Sequence, residues 1–362
     1  MKDHSELAHE AVQLLKNLIE TPSFSKEETG TAKLIEDFLH SKKIETHRSG
    51  KNLWAFANPF NADFPTIWLN SHHDTVKPNS GYTKDPFTAI EEDGRLYGLG
   101  SNDAGGPLVS LIATFLHFAG KSLPFNLVLI ASAEEEISGS GGISSIISQL
   151  PECDLAIVGE PTLMQVAVAE KGLLVIDAKV KGKSGHAARE EGINAIYLAL
   201  EDLDEVRNFE FRKTSPFLGR TKVTVTIIHA GTQHNVVPDL CEYTLDVRVT
   251  DAYSLEEAFE ELKSALHAEL SPRSMRLQSS HLPGDHLMNR VIEDLDLETY
   301  GSPTLSDQAL IPYPSVKIGP GDSARSHSAD EFIYLNEIQK GISGYIKILE
   351  TYSNLLIQTK TL

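Results

Sequence analysis

Apolar residues recur at helical spacing near the start of the chain, where Leu7, Val12, Leu14, Leu15, Leu18 and Ile19 predict a helix over residues 5–20. Thr21-Pro22 stops it, because the residue before a proline is pushed out of the helical region. A second amphipathic helix is predicted near 27–41, with Ala32, Leu34, Ile35, Phe38 and Leu39 as its apolar face. Residues 107–119 are apolar enough for a buried helix, and Pro107 suits its first turn. A last helix is predicted at about 334–356. Between the helices stand short apolar runs at 65–70, 125–130, 154–158 and 314–318, too short for buried helices and read as buried strands. Residues 82–98 read as hairpin and loop.

From about residue 172 the pattern changes. Strands are predicted at 173–180, 221–228, 243–249 and 275–279, and helices at 192–207 and 254–270, the latter opening on a capping box from Ser254 to Glu257. The order β-α-β-β-α-β is that of a ferredoxin-like unit. It is placed at 172–284, inserted into a first domain made of 1–171 and 285–362.

A chain of 362 residues exceeds what one core usually serves, which agrees with two domains. The net charge of −19 argues against nucleic acid as a partner. Cys153 and Cys241, the two cysteines, give no disulfide framework and fit a reducing compartment. The first residues carry no basic flank or apolar signal core, and no run approaches the ~18 apolar residues of a membrane span. The expectation is a cytoplasmic protein with neither a membrane nor a nucleic-acid partner.

The candidate chemistry follows the strand runs. Three carboxylates, Glu134-Glu135-Glu136, stand just after the run at 125–130. They either open a solvated helix, where negative charge suits the dipole, or face a cation at the carboxyl end of the sheet, where open α/β sheets bind ligands. The run at 65–70 leads into Ser71-His72-His73-Asp74. His72 and Asp74 point to one side of an extended chain, so one could bind a metal while the other steadies it, or both could belong to an ordinary polar loop. His73 lies on the opposite side and is unassigned. Asp103 precedes the 107–119 helix through a glycine-rich stretch and is either a capping residue or a ligand. Glu160, in Gly159-Glu160-Pro161-Thr162, ends the run at 154–158, and His327 follows the run at 314–318. Each has a plain alternative. Together, His72, Asp103, Glu136, Glu160 and His327 reach one sheet edge, and the set suits a two-zinc site in which one carboxylate bridges the ions.

These motifs resemble those of the acetylornithine deacetylase / succinyl-diaminopimelate desuccinylase family, which includes aminoacylases and zinc carboxypeptidases. The resemblance extends over nearly the whole chain. It implies an α/β zinc-peptidase-like catalytic domain with a mixed, mainly parallel sheet, and an inserted ferredoxin-like lid and dimerisation domain. It implies His72 and Glu160 on one ion, Glu136 and His327 on the other, and Asp103 bridging. By the same resemblance Asp74 supports His72, Glu135 is the general base, and His186 stabilises the oxyanion, reaching across to a partner subunit. Arg248 and Asn235 match positions that hold substrate, although a surface ion pair and a turn residue are their simpler readings.

The expected cofactor is a pair of divalent ions, zinc first, with cobalt or manganese compatible with the same donors. The expected partners are a small N-acyl amino acid and a second copy of the chain. The segment Tyr97–Asp103 is most similar to acetylornithine deacetylase-like members, which implies an N-acylornithine or N-acylcitrulline deacylase of arginine biosynthesis. The alternatives are a succinyl-diaminopimelate desuccinylase, a zinc di- or carboxypeptidase, or a metal-stabilised binding protein without turnover. Leu99, Gly105 and Glu134 depart from the family's usual Arg, Lys and Asp. Arg325 could receive a succinyl carboxylate or pair with an acid.

Overall fold

The computed structural model describes residues 4–360. It divides into two compact units, the first formed by Met1–Val168, His281–Tyr300 and Ser306–Leu362, the second by Ala169–Ser280 with Gly301–Leu305.

The first unit opens with helices α1 (His4–Ile19) and α2 (Thr29–Ser41). Strands β1 (His47–Ser49), β2 (Asn52–Phe56) and β3 (Thr66–His72) follow. A hairpin of β4 (Ile90–Glu92) and β5 (Arg95–Tyr97) turns on Asp93-Gly94, both at positive φ, which matches the twist of a two-residue loop. Next come α3 (Gly106–Phe118), β6 (Asn126–Ser132), β7 (Leu155–Val158) and β8 (Val166–Glu170). The sheet runs β1-β2-β6-β3-β7, then Ser315–Lys317, then β8. β3 is parallel to β6 and β7, and Ser315–Lys317 is parallel to β7, whereas β2 meets β6 antiparallel. The sheet is thus mixed and parallel at its centre.

Strand periodicity sends alternate residues to the two faces. Ile67, Leu69, Leu127, Leu129, Leu155 and Ile157 enter the larger core with α1, α3 and the closing helix, while Trp68, Val128, Ile130, Ala156 and Val158 enter a smaller core with Ile143 and Ile146. Burial on both faces explains why these strands are continuous apolar runs.

The second unit contains β9 (Gly172–Lys181) and helices α4 (Ala195–Asn208) and α5 (Leu255–Lys263). Its sheet is antiparallel throughout, in the order Lys222–Ala230, Leu240–Val249, β9, Glu269–Pro272. α5 carries the capping box, with Glu257 N–H on Ser254 Oγ at 3.1 Å and Ser254 N–H on Glu257 Oε2 at 3.2 Å. The fourth strand differs from the expected 275–279. α5 stops at Lys263, and Glu269–Pro272 pairs with β9 instead. A buried carboxylate fixes that turn: Asp202 on α4 accepts N–H from His267 and Ala268, each at 2.8 Å, and the Tyr243 hydroxyl at 3.0 Å. Gly301 joins this unit because it lies against Phe217, where a Cβ would come within 2.4 Å of the Phe217 carbonyl oxygen. Besides Ala169–Ser280, this unit thus takes in a short return of the chain at Gly301–Leu305.

In the first unit the chain continues through α6 (Leu287–Asp294), the short strand Phe332–Tyr334 paired with β5, and α7 (Leu335–Lys360). Among the described residues no helix is long and apolar enough to cross a membrane.

Candidate metal centre

Five ligand candidates of the first unit meet at the carboxyl edge of its sheet. His72 ends β3, Glu136 follows β6, Glu160 follows β7, His327 follows Ser315–Lys317, and Asp103 precedes α3. Two groups of donor atoms form, each within 4.8 Å: His72, Asp103 and Glu160, and Asp103, Glu136 and His327. Asp103 belongs to both. Its Oδ1 lies 3.4 Å from His72 Nε2, and its Oδ2 lies 3.6 Å from His327 Nε2. Glu160 Oε1 stands 3.7 Å from His72 Nε2, and Glu136 Oε2 stands 2.9 Å from His327 Nε2.

The donor set fits divalent cations. Imidazole nitrogen and carboxylate oxygen suit zinc and its first-row neighbours. His72 Nε2 and Glu160 Oε1 are buried without a hydrogen-bond partner among the described residues. Buried polar atoms of this kind call for a ligand. The other ring nitrogen of His72 is 3.0 Å from the Asp74 carbonyl oxygen and 3.4 Å from its carboxylate, which fixes a tautomer with Nε2 free to coordinate.

Glu135 lies in neither group, with its Oε2 3.8 Å from His72 Nε2. Glu135, Glu136 and Ile137 form a single tight turn, not the solvated helix that three glutamates could have opened. Asp74 builds that turn: its carboxylate accepts N–H from Glu135 at 3.0 Å and Glu136 at 3.2 Å, and the Ser25 hydroxyl at 2.7 Å.

Charge explains the electrostatics. Burial and the neighbouring carboxylates of Glu160, Asp307 and Glu136 hold Glu135 well above the usual carboxyl range, against the pull of His72. Burial and the Asp103 charge push Glu160 up to about 8. Burial works against a charged His72, but Glu135, Asp103, Asp74 and Glu160 outweigh it and hold its pKa well above the ordinary value. Glu136 raises His327 to about 9. Asp74 stays low despite burial because His72 and Ser25 hydrogen-bond to it.

Several residues had no sequence signal. Asp307, 2% exposed, accepts Asn70 Nδ2–H at 2.8 Å and the Ser132 hydroxyl at 2.5 Å, beneath the cluster. Glu28 is fully buried, pairs with Lys51 at 2.9 Å and accepts Glu134 N–H at 3.1 Å. Glu331 receives three N–H groups from the Asp103 loop. His73, unassigned from sequence, lies between Thr31 Oγ at 2.9 Å and the Lys51 carbonyl at 3.0 Å.

The departures are structural. Glu134, at φ 55°, turns its carboxylate back to accept Gly141 N–H at 3.1 Å. A Cβ on Gly105 would stand 2.4 Å from the Gly100 carbonyl oxygen, so no lysine fits there. Leu99 is buried. Of the two readings open for Arg325, the structure shows the pairing with an acid: it is held bidentately by Glu337 at 2.7 and 2.8 Å.

His186, Asn235 and Arg248 belong to the second unit. His186 sits on a short ladder, Gly185–His186 against Val236–Val237, beside Asn235, whose carbonyl accepts Ala187 N–H at 3.0 Å. Its exposed ring accepts Ala188 N–H on Nδ1 at 3.1 Å, leaving the Nε2 proton to donate. Arg248 is apart from them, on Leu240–Val249, where Asp246 grips its guanidinium at 2.8 and 3.1 Å.

A cluster of imidazole and carboxylate donors at the carboxyl edge of an α/β sheet, split into two groups by one shared aspartate, is the equipment of a metal-dependent hydrolase. The chain belongs to peptidase family M20/M25/M40, whose family model matches residues 68–351. It is 29% identical over 359 residues to acetylornithine deacetylase from Proteus mirabilis, covering 89% of this chain and 91% of that protein. It is 32% identical over 295 residues to acetylornithine deacetylase from Pectobacterium atrosepticum, covering 74% and 75% respectively. The fold is shared with aminopeptidase PepT from Bacillus cereus, at a TM-score of 0.77, 19% identity and coverage of 97% and 99%.

Proposed function

We propose that this chain removes an N-acyl group, acetyl or succinyl, from an amino acid, with N-acylornithine or N-acylcitrulline of arginine biosynthesis as the substrate class. The observation that carries this reading is Asp103, whose two oxygens serve two donor groups while Glu135 stands beside them uncommitted. Relatives named acetylornithine deacetylase at 29–32% identity support the substrate class.

Two divalent ions, zinc in this proposal, would be held by His72, Asp103 and Glu160 and by Asp103, Glu136 and His327. Bound there, such ions supply Lewis acidity toward a carbonyl and acidify water. Glu135 takes the proton of the attacking water as oxygen bonds to the acyl carbon, then delivers it to the amine nitrogen as the C–N bond breaks. Asp74 keeps the Glu135–Glu136 turn in place. In this proposal His186, through its Nε2–H, reaches across to the partner subunit's site and donates to the developing oxyanion there, Asn235 and Arg248 hold the substrate, and the Arg248 guanidinium binds the substrate's carboxylate.

We assign the catalytic role to residues 1–171 and 285–362, and a lid and dimerisation role to 172–284. Homodimerisation is supported by the exposed edge strand Lys222–Ala230, with Ile227 and Ile228 in solvent, and by Tyr197 and Leu200 exposed on α4. The family's peptidase name favours a second reading, a di- or carboxypeptidase using the same residues.

The test is a side-by-side assay of metal-loaded protein on N-acetylornithine, N-acetylcitrulline, N-succinylcitrulline, N-succinyl-diaminopimelate and a dipeptide panel, with and without chelator. Chelator-sensitive release from an ornithine or citrulline derivative supports the proposal. Hydrolysis of the diaminopimelate compound or of dipeptides alone moves the substrate and keeps the chemistry. No release from any of them rejects both readings.

A further inference from the structure

Glu331 lies four residues beyond His327 and is 2% exposed. Its Oε1 accepts N–H from Asn102 at 2.8 Å and from Asp103 at 2.9 Å, and its Oε2 accepts N–H from Gly100 at 3.0 Å. All three donors lie in the loop that carries Asp103 into the cluster. That loop is tightly folded: Gly100 is at φ 74°, and Gly105 N–H closes back on the Gly100 carbonyl at 2.9 Å. Glu331 is itself fixed, since its own carbonyl accepts Gly98 N–H at 3.0 Å and the next residues pair with β5. One carboxylate therefore ties the segment holding His327 to the loop holding Asp103, across 228 residues of sequence.

We propose that Glu331 is a positioning residue that sets Asp103 against His327, and so controls how tightly the group Asp103, Glu136 and His327 holds its ion. The inference rests on the two-ion reading above. Three N–H donors converge on the side chain, and only a carboxylate satisfies them with both oxygens. An amide in its place turns an NH2 toward a backbone N–H. Partners that orient metal ligands change metal affinity by about 10–100-fold when lost.

The neighbouring residue supplies a matched control. Asp330 also accepts three hydrogen bonds, from Thr83 N–H at 2.8 Å, Thr83 Oγ–H at 2.5 Å and Lys84 N–H at 2.9 Å, but these hold a different loop.

The experiment compares wild type, Glu331→Gln and Asp330→Asn as full-length, metal-free proteins. Co2+ is titrated in by calorimetry and visible absorption, and hydrogen exchange is read at residues 100–103 before metal is added. For Glu331→Gln the expected result is one Co2+ bound as in wild type and the second about 10–100-fold weaker, with faster exchange at Gly100, Asn102 and Asp103. Asp330→Asn is expected to lower the melting temperature yet bind both ions as wild type does. If Glu331→Gln does not fold, Glu331→Asp, which withdraws the charge by one methylene, is read by the same two measurements. Two Co2+ bound with wild-type affinities in the Glu331 variant overturn the inference, as does an equal weakening in Asp330→Asn. Fewer than two Co2+ in wild type rejects the two-ion reading itself, which is a different failure.

Discussion

Asp74→Asn changes one oxygen for an NH2 without changing shape, yet it strikes the turn that carries Glu135 and Glu136. The carboxylate accepts the Glu135 N–H on Oδ1 and the Glu136 N–H and Ser25 hydroxyl on Oδ2, with His72 Nδ1 nearby at 3.4 Å. An asparagine carbonyl can keep one side of this pattern. Its NH2 must then face a backbone N–H, although Ser25 can reverse and accept. One hydrogen bond to a charged group is lost, worth about 1.5–3 kcal/mol. For a unit of this size that corresponds to a melting-temperature drop of roughly 3–12 °C. If the same energy is what keeps Glu135 and Glu136 oriented, kcat falls about 10–100-fold, since each ~1.4 kcal/mol is a factor of ten. The assay is steady-state hydrolysis of the best substrate of the panel, with metal content measured on the same preparation and melting followed by circular dichroism. KM is expected to stay within about threefold, because Asp74 does not face substrate in this account. A variant with a lowered melting temperature but kcat within threefold of wild type would refute the reasoning.

Three further outcomes are expected. Asp202→Asn should destabilise the second unit by about 1–3 kcal/mol, because one of the N–H groups of His267 and Ala268 then meets an amide hydrogen; an unchanged urea midpoint would show the site relaxes freely. His286 caps α6 by accepting Met288 N–H on Nδ1 and donates Nε2–H to the Asp154 carbonyl, so it is held neutral, and burial lowers its pKa. The folded pKa lies below the unfolded value of about 6.5, so its contribution is full above that pH and is lost as pH falls toward the folded value; wild type should lose more melting temperature between pH 7.5 and 5.5 than His286→Asn, and equal losses would contradict this. Arg248→Ala should weaken substrates with a free α-carboxylate more than their amides, and an unchanged preference would leave Arg248 to its pairing with Asp246.

The sheet was legible because its central strands are buried on both faces, so Ile67–Asn70, Leu127–Ile130 and Leu155–Val158 appear as bare apolar runs with a polar residue of consequence just after each. That is why His72, Glu136 and Glu160 could be singled out from sequence. β2 carries as much core but sits among loops without a clear boundary. The last strand of the second unit was misplaced because Leu266 and Leu270 continue the helical spacing of α5, while pairing with β9 draws Glu269–Pro272 into the sheet. The supporting carboxylates were invisible for one physical reason. Glu331, Asp307 and Asp202 act on backbone or side-chain donors brought to them by the fold, from 228, 175 and 65 residues away. No spacing rule links such partners. Asp74 was legible only in its relation to His72, two residues off, and not in its grip on the Glu135–Glu136 turn 61 residues on.

The central claim is that Glu135 performs the proton transfer beside a cation pair without holding either ion. Glu135→Gln, loaded with metal and measured for both metal content and turnover, tests it most directly. The account predicts two ions per chain and a kcat reduced by at least about 100-fold, within the range a positioned general base contributes. Two ions with near wild-type turnover would contradict the role of Glu135, and loss of an ion would show that Glu135 is a ligand.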